Sequence, residues 1–439
     1  MTSSHSATTF DVLVVGGGIL GVSLAAWLGW LYEGHFALLE KEASLALHTT
    51  SRNTGVVHRP FYLDPDRKRV FARSAEVSYH MWKGWALHRR LPWMQLGTLE
   101  VATEESEAKA LYRYLGWGIS NGMDESELEV LDGRDVAKLE PEVRCRAAIH
   151  CKTDAGVSYY AFARSLAEDA KRNGVEMLTD ARVVKMAEGK EGVKVWLRGS
   201  SEPLISRLVI NCAGGNSLDL AKGMGLAQQY EDLHFRGEYW QVDSAYGVRV
   251  NRNVYSVPRH REFPFLDPHF IVRADGRREV GPNAVLVAGP NTYSGLANTP
   301  WELLSKVVER PIGPKLRLMT NPSFISLVSQ EWRSSIFKSA MCNRVARFIP
   351  SLSPHHLVGR GFAGVRSSVI DSKGFLPEAI EIATERTFHV LNYNSPGATG
   401  APAYAARALA LVSTHCPAFN LRRKAVKPLW DYDLVVEAL

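Results

Sequence analysis

The sequence predicts an α/β protein, α+β overall, in which a dinucleotide-binding domain is interrupted by an antiparallel sheet. Three observations carry this. An apolar strand, Asp11-Val-Leu-Val-Val15, runs into Gly16-Gly17-Gly18-Ile19-Leu20-Gly21, and Glu40 closes a second apolar run that begins at Phe36. A further strand, Leu208-Val-Ile-Asn211, enters another glycine turn at Gly214-Gly-Asn216. From Phe235 to Ala288 the pattern changes to short strands without helices.

The first element has a physical purpose at each position. Gly16 permits a tight turn, Gly18 lets the backbone approach a pyrophosphate, and Gly21 lets helix and strand pack closely. The helix that follows points N–H groups and a positive dipole end at the anion. Glu40 falls roughly 20 residues on, where a carboxylate accepts ribose hydroxyls and repels a 2′-phosphate. NADP is therefore disfavoured.

Beyond Glu40, His48 to His58 is a polar loop without amphipathic pattern, expected over the cofactor. Residues 63–90 read as a helix, with Phe71, Met81, Trp82 and Trp85 on one packing stripe. Gly97 to Ala102 reads as a strand followed by two helical segments up to residue 150. Tyr160 to Asn173 reads as a helix ended by Gly174, followed by strands at Val175–Thr179 and Arg182–Met186 and a polar hairpin at Gly189–Gly192. Asp275-Gly276 marks a hairpin inside the antiparallel region. Residues 301–349 return to helices, 361–376 and 387–394 to strands, and Ser395-Pro-Gly-Ala-Thr-Gly400 leads into an alanine-rich helix, Ala401 to Ser413. The implied domains are a discontinuous cofactor domain (10–95, 145–230, 350–420), a substrate domain (96–144, 231–349) and a basic C-terminal tail (421–439).

At 439 residues, with 46% apolar and 22% charged residues, the composition is that of a globular protein of two or three domains. No apolar run approaches the roughly 20 residues of a membrane span. Met1 to Phe10 is polar and reads as a loose tail on a cytoplasmic protein. The five cysteines are scattered, without CxxC or metal-type spacing, and read as buried thiols with no metal site. The net charge of +6 is mostly dispersed, which argues against nucleic acid and suits a small anionic substrate. Arg422, Arg423, Lys424 and Lys427 form the densest basic cluster, read as solvated, with contact at a membrane surface left open.

Four dispersed segments together resemble the flavin-dependent D-amino-acid-oxidase superfamily, and within it the L-2-hydroxyglutarate oxidase/dehydrogenase family. They are Gly16–Gly21 with Glu40; His48-Thr-Thr-Ser-Arg52-Asn53-Thr-Gly55-Val-Val-His58; the group Arg236-Gly-Glu-Tyr239, Val254–Pro258, Pro264–Leu266, His269-Phe270, Asp275-Gly and Gly281–Val285; and Gly364-Val-Arg366 with His389–Thr399. The sequence departs from that family after His58, where Arg59-Pro60-Phe61-Tyr62 replaces small residues and a tyrosine pair. Trp240 also stands where a second tyrosine is usual.

The resemblance implies a Rossmann-like FAD-binding domain of the glutathione-reductase type. FAD is favoured over NAD because no second set of Rossmann repeats is present. By the resemblance, Gly16, Gly18, Ile19, Leu20 and Gly21 hold the pyrophosphate, Glu40 and Lys41 the ribose side, and the Val183 backbone the adenine. Cys212, Ala213, Gly214 and Asn216 approach the diphosphate, while Thr50, Ser51, Asn53, Thr54 and Gly55 line the flavin loop. The backbone of Ser395, Pro396, Gly397, Ala398 and Thr399, at a helix start, would stabilise negative charge on the reduced ring.

The implied reaction moves a hydride from a substrate α-carbon to flavin N5 while a base takes the hydroxyl proton, converting an L-2-hydroxy acid to the 2-oxo acid. His58 is the first candidate base and His269 the second. Arg366, also near the cofactor, is the leading carboxylate clamp, with Arg59 and Arg236 for a second carboxylate and Tyr239 and Tyr255 as donors to substrate oxygen. L-2-Hydroxyglutarate is the first substrate and L-lactate the second. An amino acid, a secondary amine, glycerol 3-phosphate or a non-catalytic flavin protein are the alternatives. Oxygen, a quinone and an electron-transfer protein are all open as acceptor.

Overall fold

The computed structural model describes residues 9–259, 263, 267–426 and 428–439. The Pro264–Leu266 segment, residues 1–8 of the expected tail and Lys427 lie outside them. The chain forms two compact units, one comprising the residues up to Ser51, Tyr159–Tyr230 and those from Glu378 onward, the other Arg52–Ser158 and Glu231–Pro377.

In the first unit the strand Thr9–Val15 lies at the centre of a mixed sheet, parallel to Phe36–Leu39 on one side and Leu204–Asn211 on the other. Phe36–Leu39 pairs in turn with Val175–Leu178, and Leu204–Asn211 with Thr387–Leu391, both in parallel. The helix Ile19–Leu31 is buried along its whole length, as an all-apolar helix must be. Helices Tyr159–Arg172 and Gly397–His415 pack against it. Trp27 and Trp30 give that packing direction: their indole N–H groups donate to the Pro402 carbonyl and the Asp169 carboxylate, at 2.8 and 2.7 Å.

The expected C-terminal tail is instead an ordered part of this unit. The Lys424 backbone N–H donates to the Leu31 carbonyl at 2.7 Å. The Trp430 ring sits 5.4 Å from that of Trp30, and Asp431 caps the helix Tyr432–Glu437. Aromatic surface, more than basic charge, decides the position of this segment.

The second unit is built on a ten-stranded sheet. Its longest pairing is the antiparallel ladder between Glu231–Val242 and Leu357–Asp371. The predicted hairpin joins His269–Val272 to Arg278–Gly281. Thr98–Ala102 is parallel to Asn253–Ser256 and antiparallel to Ala147–Cys151, which pairs with Leu128–Asp132. The last two strands are absent from the sequence reading. A small sheet joins Val56–Val57, Ala155–Gly156 and Met94–Gln95.

These pairings explain why the units divide differently from the sequence expectation. Residues 52–95, 145–158 and 350–377 were assigned to the cofactor domain, yet each is held by strand partners within the second unit. Non-local hydrogen bonding of this kind leaves no trace in local periodicity.

Trp27 is fully buried, so Trp27→Ala is expected to cost about 3–5 kcal/mol of stability, read as a lowered denaturant midpoint. A loss under about 1 kcal/mol would show that the helix packing is not set by this ring.

Candidate active site

The cradle at the start of the first unit is constrained at Gly16, Gly17 and Gly21. Gly16 has φ +111°, and a Cβ there would lie 2.5 Å from the Cys212 carbonyl oxygen. A Cβ on Gly21 would lie 1.9 Å from the Gly16 carbonyl oxygen. At Gly18, by contrast, it would meet only the Thr50 hydroxyl, at 3.3 Å, so the backbone is open to an incoming group. The helix beginning at Ile19 has no side-chain cap from its own N-cap residue, Gly18, and no acid in its first turn. That leaves its positive end suited to an anion.

Glu40 is buried and oriented by both oxygens. The Gly17 N–H donates to Oε2 at 2.8 Å and the Glu42 N–H to Oε1 at 2.9 Å. The Thr50 hydroxyl accepts from the Ile19 N–H at 2.9 Å. Leu20 is buried in the helix, and Ser51 closes a turn onto the His48 carbonyl. Lys41 donates to the Asn216 side chain at 3.1 Å, and burial together with nearby Arg182 pushes its pKa down to about 8. Val183 is half-buried at the start of its strand. Cys212 continues the strand pairing through a bond from its N–H to the Val15 carbonyl. Ala213 precedes a short helical turn in which Gly214 takes φ +59°. The helix Gly397–His415 starts without a side-chain cap directly after the exposed Ser395 and buried Pro396, and the Thr399 hydroxyl meets the Tyr159 hydroxyl at 2.8 Å.

Asn53, Thr54 and Gly55 belong to the second unit. The Asn53 side chain accepts from the Gly55 N–H at 2.8 Å, and Gly55, at φ +71°, passes close to the Val157 carbonyl. Thr54 is half-buried in the same loop.

Continuing the register Val57↔Ala155 by one residue sets His58 opposite Asp154. Asp154 has no exposed surface, and its carboxylate accepts four bonds: from His58 Nδ1 (3.0 Å), the Arg59 backbone N–H (2.7 Å), the Thr98 hydroxyl (2.7 Å) and the Cys151 thiol (3.3 Å). A carboxylate so saturated fixes the imidazole proton on Nδ1. His58 Nε2 then carries the lone pair, 3.4 Å from the Tyr255 hydroxyl. Asp154 is the residue that the sequence reading missed. Its only signal was an acid standing directly before the Ala155-Gly156 strand.

Tyr255 stacks on His269, with ring centroids 3.9 Å apart. His269 Nδ1 lies 3.0 Å from the Asp267 carbonyl, so its proton sits there and Nε2 is a bare acceptor, buried without a hydrogen-bond partner. Burial pushes its pKa down to about 3. It is neutral at physiological pH. Tyr62, also missed, stands edge-on to His58 at 5.9 Å. Removal from water raises the pKa of Tyr62, Tyr239 and Tyr255, so all three remain protonated donors. Removal from water also lowers the Arg366 pKa, with Tyr239 and Tyr62 as its influential neighbours.

Two predicted clamps are engaged elsewhere. Arg59 is buried, with Glu76 and Glu127 on its guanidinium and the Tyr79 ring 4.2 Å away. Arg236 donates to Glu238 at 2.9 Å and to the Thr292 and Gly295 carbonyls. Register explains the second case. Arg366 stands opposite Phe235 and Arg236 opposite Val365, so the two arginines leave the sheet on opposite faces. Arg273, unremarked as a site residue in the sequence, lies with its guanidinium 4.9 Å from the Tyr239 ring and paired with Glu279.

The family profile described as DAO, FAD dependent oxidoreductase, matches residues 11–411. The chain belongs to the DAO family of FAD-dependent oxidoreductases. This DAO-family chain is 30% identical to the human protein named L-2-hydroxyglutarate dehydrogenase, mitochondrial, across 90% of its own length and 87% of the relative's. It is 29% identical to the Escherichia coli L-2-hydroxyglutarate dehydrogenase, across 92% and 93%. A solved structure of L-α-glycerophosphate oxidase from Mycoplasma pneumoniae with FAD bound aligns with a TM-score of 0.72 at 23% identity, covering 95% of this chain and 97% of that one. Glycine oxidase from Geobacillus kaustophilus aligns at 0.68 with 16% identity, covering 93% and 95%. At such identities the structural likeness concerns the fold alone.

The glycine cradle, the aimed carboxylate of Glu40 and the acid-free helix start suit the FAD that the DAO family uses. Gly16→Ala is expected to abolish FAD retention, since it adds both strain at positive φ and a clash with the Cys212 carbonyl. The readout is flavin absorbance per folded chain. Full flavin content in that variant would remove the cradle from the account.

Proposed function

We propose that this enzyme oxidises L-2-hydroxyglutarate to the 2-oxo acid. The relatives' shared name supports that substrate, and the observation carrying the chemistry is the His58–Asp154 pair, with His58 Nε2 facing the Tyr255 hydroxyl. FAD, when bound, supplies the two-electron acceptor for the substrate's α-hydrogen. His58 Nε2 takes the hydroxyl proton, and the buried Asp154 carboxylate stabilises the imidazolium that results. Arg366 holds the substrate carboxylate through its planar fork. Tyr62, Tyr239 and Tyr255, kept protonated by burial, donate to substrate oxygens. His269 holds the Tyr255 ring in place by stacking.

Arg59, Arg236 and Arg273 all have their donors engaged by glutamates and carbonyls, which weakens the glycerol-phosphate alternative. L-Lactate remains the second substrate, since it needs no second clamp. The acceptor that reoxidises the enzyme is a small molecule or an electron-transfer protein.

Anaerobic mixing of the oxidised enzyme with L-2-hydroxyglutarate is expected to bleach the flavin, with L-lactate slower and glycine and glycerol 3-phosphate inert. Bleaching by an amine alone would overturn the substrate class. His58→Asn is expected to keep its flavin and slow the reduction by about 10²–10⁴-fold, and Asp154→Asn by roughly a hundredfold. Arg366→Lys is expected to raise KM about tenfold or more, because the fork is lost while the charge remains. Normal reduction in the His58 variant would remove it as the base.

A further inference from the structure

Arg273 stands where two parts of the proposed catalytic set meet. It directly follows the strand His269–Val272, so His269, Ile271 and Arg273 alternate onto one face. On that face Ile271 packs with Val56 and Tyr239, and the Arg273 guanidinium lies 4.9 Å from the Tyr239 ring. All three guanidinium nitrogens are in use. Nε and one terminal nitrogen donate to Glu279 Oε2, the former at 2.7 Å, and the other terminal nitrogen donates to the backbone carbonyl of Asn53. Glu279 has no exposed surface and its Oε1 has no hydrogen-bond partner, so the carboxylate relies on Arg273.

Burying such a pair costs desolvation that its attraction offsets only in part. What the pair adds is geometry, because a planar fork holds its acceptors at set angles. One of those acceptors leads to the base. The Asn53 side chain accepts from the Gly55 N–H, the Gly55 carbonyl accepts from the Val157 N–H at 2.7 Å, and the strand Val56–Val57 ends beside His58. That strand has two residues, too few to fix its position by pairing alone. Asp154 anchors its far end, at His58 and Arg59, and Arg273 anchors its near end, at Asn53.

We infer that Arg273 is a positioning residue, which holds the His58 strand at a fixed distance from Tyr239 so that base and donor meet the substrate together. The inference rests on the reaction proposed above and gives Arg273 no contact with substrate. A role as a second carboxylate clamp fits less well. Capturing a substrate carboxylate would draw donors away from Glu279 and leave a buried charge unpaired.

The test compares three variants of the full-length, flavin-loaded enzyme. Arg273→Met/Glu279→Gln removes both charges, so that neither is left buried alone. Arg273→Lys keeps the ion pair but cannot hold Glu279 and the Asn53 carbonyl with one fork. Arg277→Met, which changes an exposed cation of the same hairpin paired with Asp275, is the control. In hydrogen exchange, which needs no substrate, the amides of residues 54–58 are expected to exchange about tenfold faster in both Arg273 variants and at the original rate in the control. In anaerobic reduction by L-2-hydroxyglutarate, the limiting rate is expected to fall about 10–100-fold in the double variant. The substrate concentration at half-saturation should change less than about twofold. Unchanged exchange or an unchanged limiting rate overturns the inference, as does a rise in half-saturation alone, which would make Arg273 a clamp. Should the double variant not fold, Arg273→Lys decides by the same two measurements. A wild-type enzyme that L-2-hydroxyglutarate does not bleach refutes the proposed substrate, and exchange then decides the role of Arg273.

Discussion

Asp154 is a carboxylate with no exposed surface, and an ion so placed is tolerated only where hydrogen-bond donors replace its lost water. Four donors do so, and they come from three segments: the His58-Arg59 dipeptide, Thr98 and Cys151. The same acid therefore joins the loop after residue 51, two adjacent strands of the large sheet and the small three-stranded sheet. It also determines which nitrogen of His58 carries the proton. Stability and chemistry meet at one group, which makes the imidazole a fixed feature of the fold and not a mobile side chain awaiting substrate.

Legibility in the sequence followed the distance over which each interaction acts. The Gly16–Gly21 turn and Glu40 could be read because their purposes are local, and the Gly17 N–H does meet Glu40 across 23 residues. The Asp154 pairing spans 96 residues and arises from two strands of two residues each, too short to show any alternation. Arg59 was misread for the complementary reason. Proximity to His58 in sequence suggested a substrate cation, but Glu76 and Glu127, 17 and 68 residues away, neutralise it. Arg236 and Arg366 each looked like a clamp, and only the register of their two strands separates them by face.

The domain boundaries were obscured in the same way. Composition marks where texture changes, yet membership of a unit is decided by which strands hydrogen-bond together. The ladder of Glu231–Val242 with Leu357–Asp371 draws a late segment into the second unit. The helices after residue 300 were legible as helices. Their orientation, with Lys306 and Lys315 turned inward, was not, because it depends on Glu231 and on Asp232, which stands 74 residues before its partner Lys306.

The two backbone bonds that hold Glu40 have a consequence for how the protein acquires its nucleotide. Both carboxylate oxygens are anchored by amides of the turn and of the following residues, so the Glu40 carboxylate, proposed to receive the ribose, is oriented by folding alone. A nucleotide arriving at such a site meets a finished receptor and forfeits little rotamer freedom in forming it. Folding and loading can then be successive events, and an empty chain would keep its receptor shape while it waits.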